Sequence, residues 1–264
     1  MRRRTYAKIG VVCALAMAAL PFCDVTAQAK NEQTQAVVMS TDKSETITTV
    51  EVKSKTYKKE YKTEDGKIYK TVKYVRPVLT GDSEAIEKIN AFYEKKQKAW
   101  VKASKEDLED AKFIVENNDV DGYYSDEYGY KVKYNKNGYI SILGSGYAYC
   151  MGAHGTPYCE SHTFDLNTGK ELTVKNIMAG TDKQIKSRIV SVFEKKIKKD
   201  KDMFFPDALD YVKKTAGVKN KNFYLTGSGI VFYYQQYEIA PYAAGVITGK
   251  IPYKTTKYFK IDLR

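Results

Sequence analysis

Between Ile47 and Leu79 the chain reads ITTVEVKSKTYKKEYKTEDGKIYKTVKYVRPVL, with β-branched and aromatic residues alternating with lysines. A period of two fits the opposite faces of a strand and not the faces of a helix, so this run is expected to be extended. Glu64-Asp65-Gly66 divides it with a turn signal, which makes a β-hairpin. Pro77 lacks the N–H a ladder needs, so it closes the second strand or lies on an edge.

The period then changes. Asp82 or Ser83 can cap a helix over GDSEAIEKINAFYEKKQKAW, with Glu84 and Glu87 in its first turns. Ile86, Ile89, Tyr93 and Trp100 make one apolar stripe, and the helix is expected to continue or restart through SKEDLEDAKFIVENN. Strands are expected over Tyr128 to Tyr134, Tyr139 to Tyr149 and Tyr158 to Leu166, with Asn137-Gly138 as a hairpin turn. Asn167-Thr168-Gly169-Lys170 is a second turn, leading to a short strand at Leu172 to Val174. A second amphipathic helix runs from Asp182 to Lys199, with Ile185, Ile189, Val192, Phe193 and Ile197 on one face. Pro206 sits where a further helix can start, and the rest of the chain returns to strand patterns. The order β, α, β-meander, α, α, β-meander implies an α+β fold, antiparallel sheets with helices packed on them, and not alternating βαβ.

The N-terminus reads as a secretory signal, residues 1–29. Arg2, Arg3, Arg4 and Lys8 precede an apolar run from Ile9 to Phe22, and Ala27-Gln28-Ala29 is a small-residue cleavage pattern. The run is short for a membrane span. The expected product is secreted, without a transmembrane segment after cleavage. Lipid anchoring at Cys23 is the alternative, although Phe22 is bulky for that processing. Residues 30–45 are polar and aperiodic and read as a flexible leader. Two sub-domains are expected to follow, 46–155 and 156–264.

The chain carries a formal net charge of +12, and removal of residues 1–29 takes away four basic residues and one acidic one, leaving +9. Such a surface favours acidic partners, teichoic acid or anionic lipid among them, or is simply solvated. No nucleic-acid motif is found. The 23 tyrosines suit half-buried strands, with the ring packed and the hydroxyl wet.

Both histidines and two cysteines fall in YCMGAHGTPYCESHTF, residues 149–164. Cys150, His154, Cys159 and His162 would suffice for a tetrahedral zinc. Strand phase argues otherwise, because Cys159, Ser161 and Thr163 share one face while His162 and Phe164 share the other. A Cys150–Cys159 disulfide stapling a hairpin is the expectation for an exported chain, with zinc and free thiols as alternatives. Gly152 and Gly155 make His154 part of a tight turn. No metal or other cofactor is assigned.

Tyr237 to Gly245, YEIAPYAAG, is a shaped loop. Pro241 holds Ala240 extended, Gly245 can adopt a positive φ, and Tyr237 and Tyr242 are aromatic handles of the kind that carry binding. Glu238 could be a raised-pKa acid, but glycoside hydrolysis ordinarily needs a second carboxylate. Its expected role is to bond backbone amides and fix the turn. No catalytic constellation is identified.

The stretches GAHGTPYCESHTFDLNTGKELTVKNI and IVFYYQQYEIAPYAAGVITGKIPY resemble the extracellular module of RsiV-type anti-sigma factors, a family of largely uncharacterised exported proteins also found N-terminal in some peptidoglycan deacetylases. The resemblance spans roughly Val50 to Arg264. It implies a two-part α+β ectodomain that in the anti-sigma members binds lysozyme. The signalling segment and the deacetylase domain have no counterpart in this sequence, so only the binding module carries over. The expected function is an exported, non-catalytic module for a ligand of a Gram-positive-like envelope, the expected partners being a lysozyme or another muramidase. A glycan-binding or glycan-modifying protein of the peptidoglycan and a structural envelope protein held by basic helices are the alternatives. Common lysozymes are basic, so contact would need an acidic patch such as Asp119 to Glu127.

Overall fold

The computed structural model describes residues 46–118 and 122–264. The expected signal and leader lie outside the described residues. Among those described, no helix is long and apolar enough to cross a membrane.

The first hairpin pairs β1, Val52–Lys62, with β2, Ile68–Leu79, around a turn in which Gly66 has φ 87°. Pro77 faces Ser54 in this ladder. The other neighbour of β2 pairs only from Lys70 to Tyr74, so Pro77 borders an open edge where no partner wants its N–H. Helix α1, Glu84–Ala103, starts at Ser83, whose Oγ accepts from the Ile86 N–H, and buries Ile86, Ile89 and Tyr93. Helix α2, Leu108–Asn117, follows after a short break.

β3, Tyr124–Lys136, β4, Tyr139–Tyr149, and β5, Thr156–Asp165, form the expected antiparallel meander. Its first turn is Asn137-Gly138, with φ 55° and 81°, the two positive values that a two-residue hairpin requires. One expectation fails here. β2 and β3 run parallel, with α1 and α2 as the crossover, so the five-stranded sheet β1-β2-β3-β4-β5 is mixed and contains one βαβ unit. The sheet also takes in β5, ten residues that the sequence assigns to the C-terminal sub-domain.

After the Asn167–Gly169 turn, the expected strand at Leu172 to Val174 is instead the one-turn helix α3, Val174–Ile177, closed by a capping box of Thr173 and Asn176. Only Glu171 bridges back to Phe164. Helix α4, Asp182–Lys199, has its own capping box, Thr181 with Gln184, and buries Ile185, Ile189 and Phe193. Helix α5, Ala208–Thr215, begins just past Pro206. β6, Phe223–Thr226, β7, Gly229–Tyr234, and β8, Ile247–Pro252, make a second, antiparallel sheet.

Alternation along β7 shows how the layers stack. Ile230, Phe232 and Tyr234 join the core under α4, while Val231 and Tyr233 pack with Cys159 and Leu143 of the first sheet. The fold is α+β, with helices outside and the two sheets meeting along β6.

Candidate functional site

β5 carries two unlike faces into the centre of the molecule. Tyr158, Glu160, His162 and Phe164 lie under α1, where Trp100 Nε1 donates to Tyr158 Oη at 2.8 Å and Phe92 packs on His162 and Phe164. Ser161 and Thr163 face the second sheet. Ser161 Oγ donates to the Phe223 carbonyl at 2.5 Å, and Ser141, hydrogen-bonded to Thr163, accepts from the Leu225 N–H. His162 and Cys159 therefore point to opposite faces, as the strand phase requires.

The Cys150–Cys159 bridge is not present. Register explains why. Cys159 stands across from Ser145, and the five residues from Ser145 to Cys150 span about 17 Å of strand, whereas bridged Cα atoms lie within about 7 Å. The loop length suggested a staple, but pairing continues to Ala148 and Thr156 and carries Cys150 past the end of the ladder.

Glu160 is the hub beneath α1. Lys96 Nζ lies 2.6 Å from its carboxylate and Tyr128 Oη donates at 2.7 Å, while His162 Nε2 lies at 3.8 Å, beyond hydrogen-bond length. Burial works to raise this carboxyl, but His162, Lys96 and Tyr128 overcome it and hold it at about 2. For His162, burial works to lower the imidazole, yet Glu160 and then Glu171, the latter 2.6 Å from Nδ1, leave it above its ordinary value. The arrangement ties α1 to β5 and to the residue after the turn.

The second cluster lies on the surface, where the two motif stretches meet. Tyr237 takes φ 64°, its ring exposed, and its N–H donates to the Ala240 carbonyl. Glu238 is engaged at both oxygens, one accepting the Gln235 N–H at 2.6 Å and the other Tyr211 Oη at 3.2 Å, so it fixes the turn as expected. After Pro241, a 3₁₀ turn over Tyr242–Ala244 ends at Gly245, whose φ of 64° and ψ of −153° fall in a region essentially reserved for glycine.

Tyr242 makes the junction. Its ring stacks on His154 at 4.1 Å, and its hydroxyl donates to the Gly155 carbonyl at 3.4 Å. Tyr147 lies across Gly155 so closely that a Cβ there would come within 2.2 Å of its ring, and the Tyr147 hydroxyl accepts the Gly155 N–H. Gln235 completes the joint by clamping the Cys159 backbone, accepting from its N–H and donating to its carbonyl. The result is an aromatic platform of Tyr237, Tyr242 and His154, fixed by the Tyr242 hydroxyl on the Gly155 carbonyl, by the Tyr237 N–H bond within its own turn and by the Gln235 clamp on β5. Tyr147 and Gln235 are not singled out by the sequence. The one local hint is Gln235-Gln236, a polar pair ending the apolar strand β7.

The platform spans two matched segments. Residues 172–254 match the family model described as a protein of unknown function, DUF3298. Residues 62–156, which include His154 and Gly155, match the model described as deacetylase PdaC. Among solved structures, a DUF3298-family protein from Bacteroides fragilis is 19% identical with a TM-score of 0.62, covering 82% of this chain and 96% of its own. A DUF3298-family protein from Pseudomonas aeruginosa is 17% identical with a TM-score of 0.52 and the same coverages. At such identities the likeness is one of fold. No curated protein matches. Among the described residues no group of three or more His, Cys, Asp or Glu side chains is placed to hold a metal ion.

Proposed function

We propose that this protein is an exported, non-catalytic binding module for a cell-envelope ligand, and that its partner is a lysozyme-like muramidase. The observation that carries the reading is the platform of Tyr237, Tyr242 and His154, in which Tyr237 and His154 are exposed, Tyr242 is half-buried between them, and the loop is tied to the first sheet through Tyr242 and Gln235. Rigid aromatic side chains supply contact area at little entropic cost. The resemblance to RsiV-type ectodomains favours a muramidase, and the DUF3298 and PdaC matches are in keeping with it.

Charge has to be reconciled with a basic partner. Asp119 and Asp121 lie outside the described residues, and Asp126 is committed to Lys70. Glu127 remains, and it stands across from Tyr147 in the β3–β4 ladder, placing a half-buried carboxylate beside the platform.

Titration calorimetry of the purified protein against lysozyme tests this reading. Binding at micromolar concentration is expected, weakened about thirtyfold by Tyr242→Ala, which corresponds to the about 2 kcal/mol of a buried aromatic anchor. Absence of heat with lysozyme, or binding indifferent to Tyr242→Ala, would count against it. Binding of soluble peptidoglycan fragments in place of lysozyme would favour the glycan reading, to which the deacetylase-named match lends support.

A further inference from the structure

Lys70 occupies a position on β2 where burial calls for an apolar side chain. It shares a face with the buried Val72 and Tyr74, beneath the junction of α1 and α2, and is 1% exposed. Its ammonium is flanked by two carboxylates. One is Asp107, in hydrogen-bond contact; the other is Asp126 of β3, at 2.6 Å.

Asp107 behaves unusually for its place in the chain. It is the N-cap residue of α2, where an aspartate ordinarily accepts a hydrogen bond from the first-turn amides, yet its side chain makes no such bond and turns to Lys70 instead. Asp126 is the less exposed of the two carboxylates, and burial works to raise its pKa against the pull of Lys70. Burial also works to lower Lys70, although Asp107 and Asp126 outweigh it, so the amine becomes a nucleophile only once its proton has passed to Asp126. Tyr124, Cys150, Tyr158 and Asp110 are further titratable groups near the cluster.

A buried amine held between one carboxyl that can be attacked and one that can carry a proton has the parts needed for amide condensation. We propose that Lys70 Nζ and the Asp107 carboxyl form an intramolecular amide, with Asp126 as the proton carrier. Asp126 takes one proton from the ammonium, and the neutral amine attacks Asp107 Cγ. The C–N bond forms as one carboxyl oxygen leaves. That oxygen departs as water, with the proton returned by Asp126 and a second from the nitrogen. The third nitrogen proton stays on the amide. One positive and one negative charge vanish together, and Asp126 ends as it began, so no oxidant or other reactant enters. The product joins β2 to the start of α2, across the α1 crossover.

Tryptic peptide mapping of the purified full chain by mass spectrometry decides the matter, independently of any ligand. The expected species is the peptide Ile68–Lys73, uncut after Lys70, joined to Glu106–Lys112 and lighter by one water. Asp126→Asn, which keeps the shape and removes the proton carrier, is expected to leave the two peptides separate, as is Lys70→Arg. Should either variant fail to fold, the wild-type map still decides. Cleavage after Lys70 with no linked species would overturn the proposal and leave an ion pair only. A link from Lys70 to the peptide holding Asp126, or full linkage in Asp126→Asn, would overturn the roles assigned to the two carboxylates.

Discussion

Beneath α1 the five-stranded sheet buries Lys70 and Arg76 and half-buries Glu160 and His162 among tyrosines, whereas beneath α4 the three-stranded sheet packs Ile189, Phe193, Leu225, Ile230 and Phe232. Tyrosines apart, every buried polar or charged residue among those described lies in or against the first sheet. One half is thus held by shape and dry contact, the other by matched charges as well. The distinction matters because a dry core responds to lost volume, while a polar layer responds to pH and to the removal of one partner.

The sharpest way to probe the dry half is Phe193→Ala. The ring is fully buried, meets Tyr234 edge-on at 4.8 Å and lies against Gly249 of β8. Loss of such a ring costs about 3–5 kcal/mol, which denaturant unfolding at neutral pH would register. A cost near 1 kcal/mol would mean that this core collapses around the gap and that the contrast with the first half is overstated.

The polar half is tested by Glu160→Gln, which leaves Lys96 facing a neutral group and should cost about 1.5–3 kcal/mol at neutral pH. The pH profile says more. The Glu160 carboxyl is lowered on folding, so its contribution is present above the unfolded value of 4.5 and is lost as pH falls toward about 2. The His162 imidazole is raised, so its contribution is full below the unfolded value of 6.5 and is lost as pH rises through the folded value. Stability from this layer should therefore be greatest between those limits, and Glu160→Gln should flatten the acid side. An unchanged acid limb in the variant would show that other carboxylates govern acid unfolding.

The two halves also differed in how far they could be read from the chain. In α4 the apolar stripe is continuous, and Ile185, Ile189 and Phe193 are buried as their spacing requires. In β2 the buried face reads Lys70, Val72, Tyr74, Arg76 and the opposite face Tyr69, Thr71, Lys73, Val75. Neither face is uniformly apolar, so alternation identifies a strand without saying which side is covered. The parallel pairing of β2 with β3 is set by where α1 and α2 deliver the chain, which no local pattern encodes. The cysteine pair failed for a related reason, because ladder register and not loop length fixes which residues face each other. At the candidate site, Tyr237, Pro241, Tyr242 and Gly245 stood out by their local chemistry. That His154 would stack on Tyr242 depends on the meeting of the two sheets, and Tyr147 and Gln235 are visible only there.

The smallest effect is the most discriminating for the surface loop. Tyr237 is held at φ 64°, a left-handed geometry that costs a side-chain-bearing residue about 1–2 kcal/mol. Tyr237→Gly relieves that strain at an entropic cost of about 0.5–1 kcal/mol, and the Tyr237 N–H to Ala240 carbonyl bond is retained because it is backbone. The variant should be more stable by about 0.5 kcal/mol, read as a raised denaturant midpoint, while losing affinity in the lysozyme titration. A residue kept in a strained conformation for packing alone would behave differently. Its removal would lower stability and leave binding unchanged, whereas Tyr237, 57% exposed, has little packing to lose. Higher stability joined to weaker binding would mark Tyr237 as strained in the service of contact, setting the platform apart from both cores beneath it.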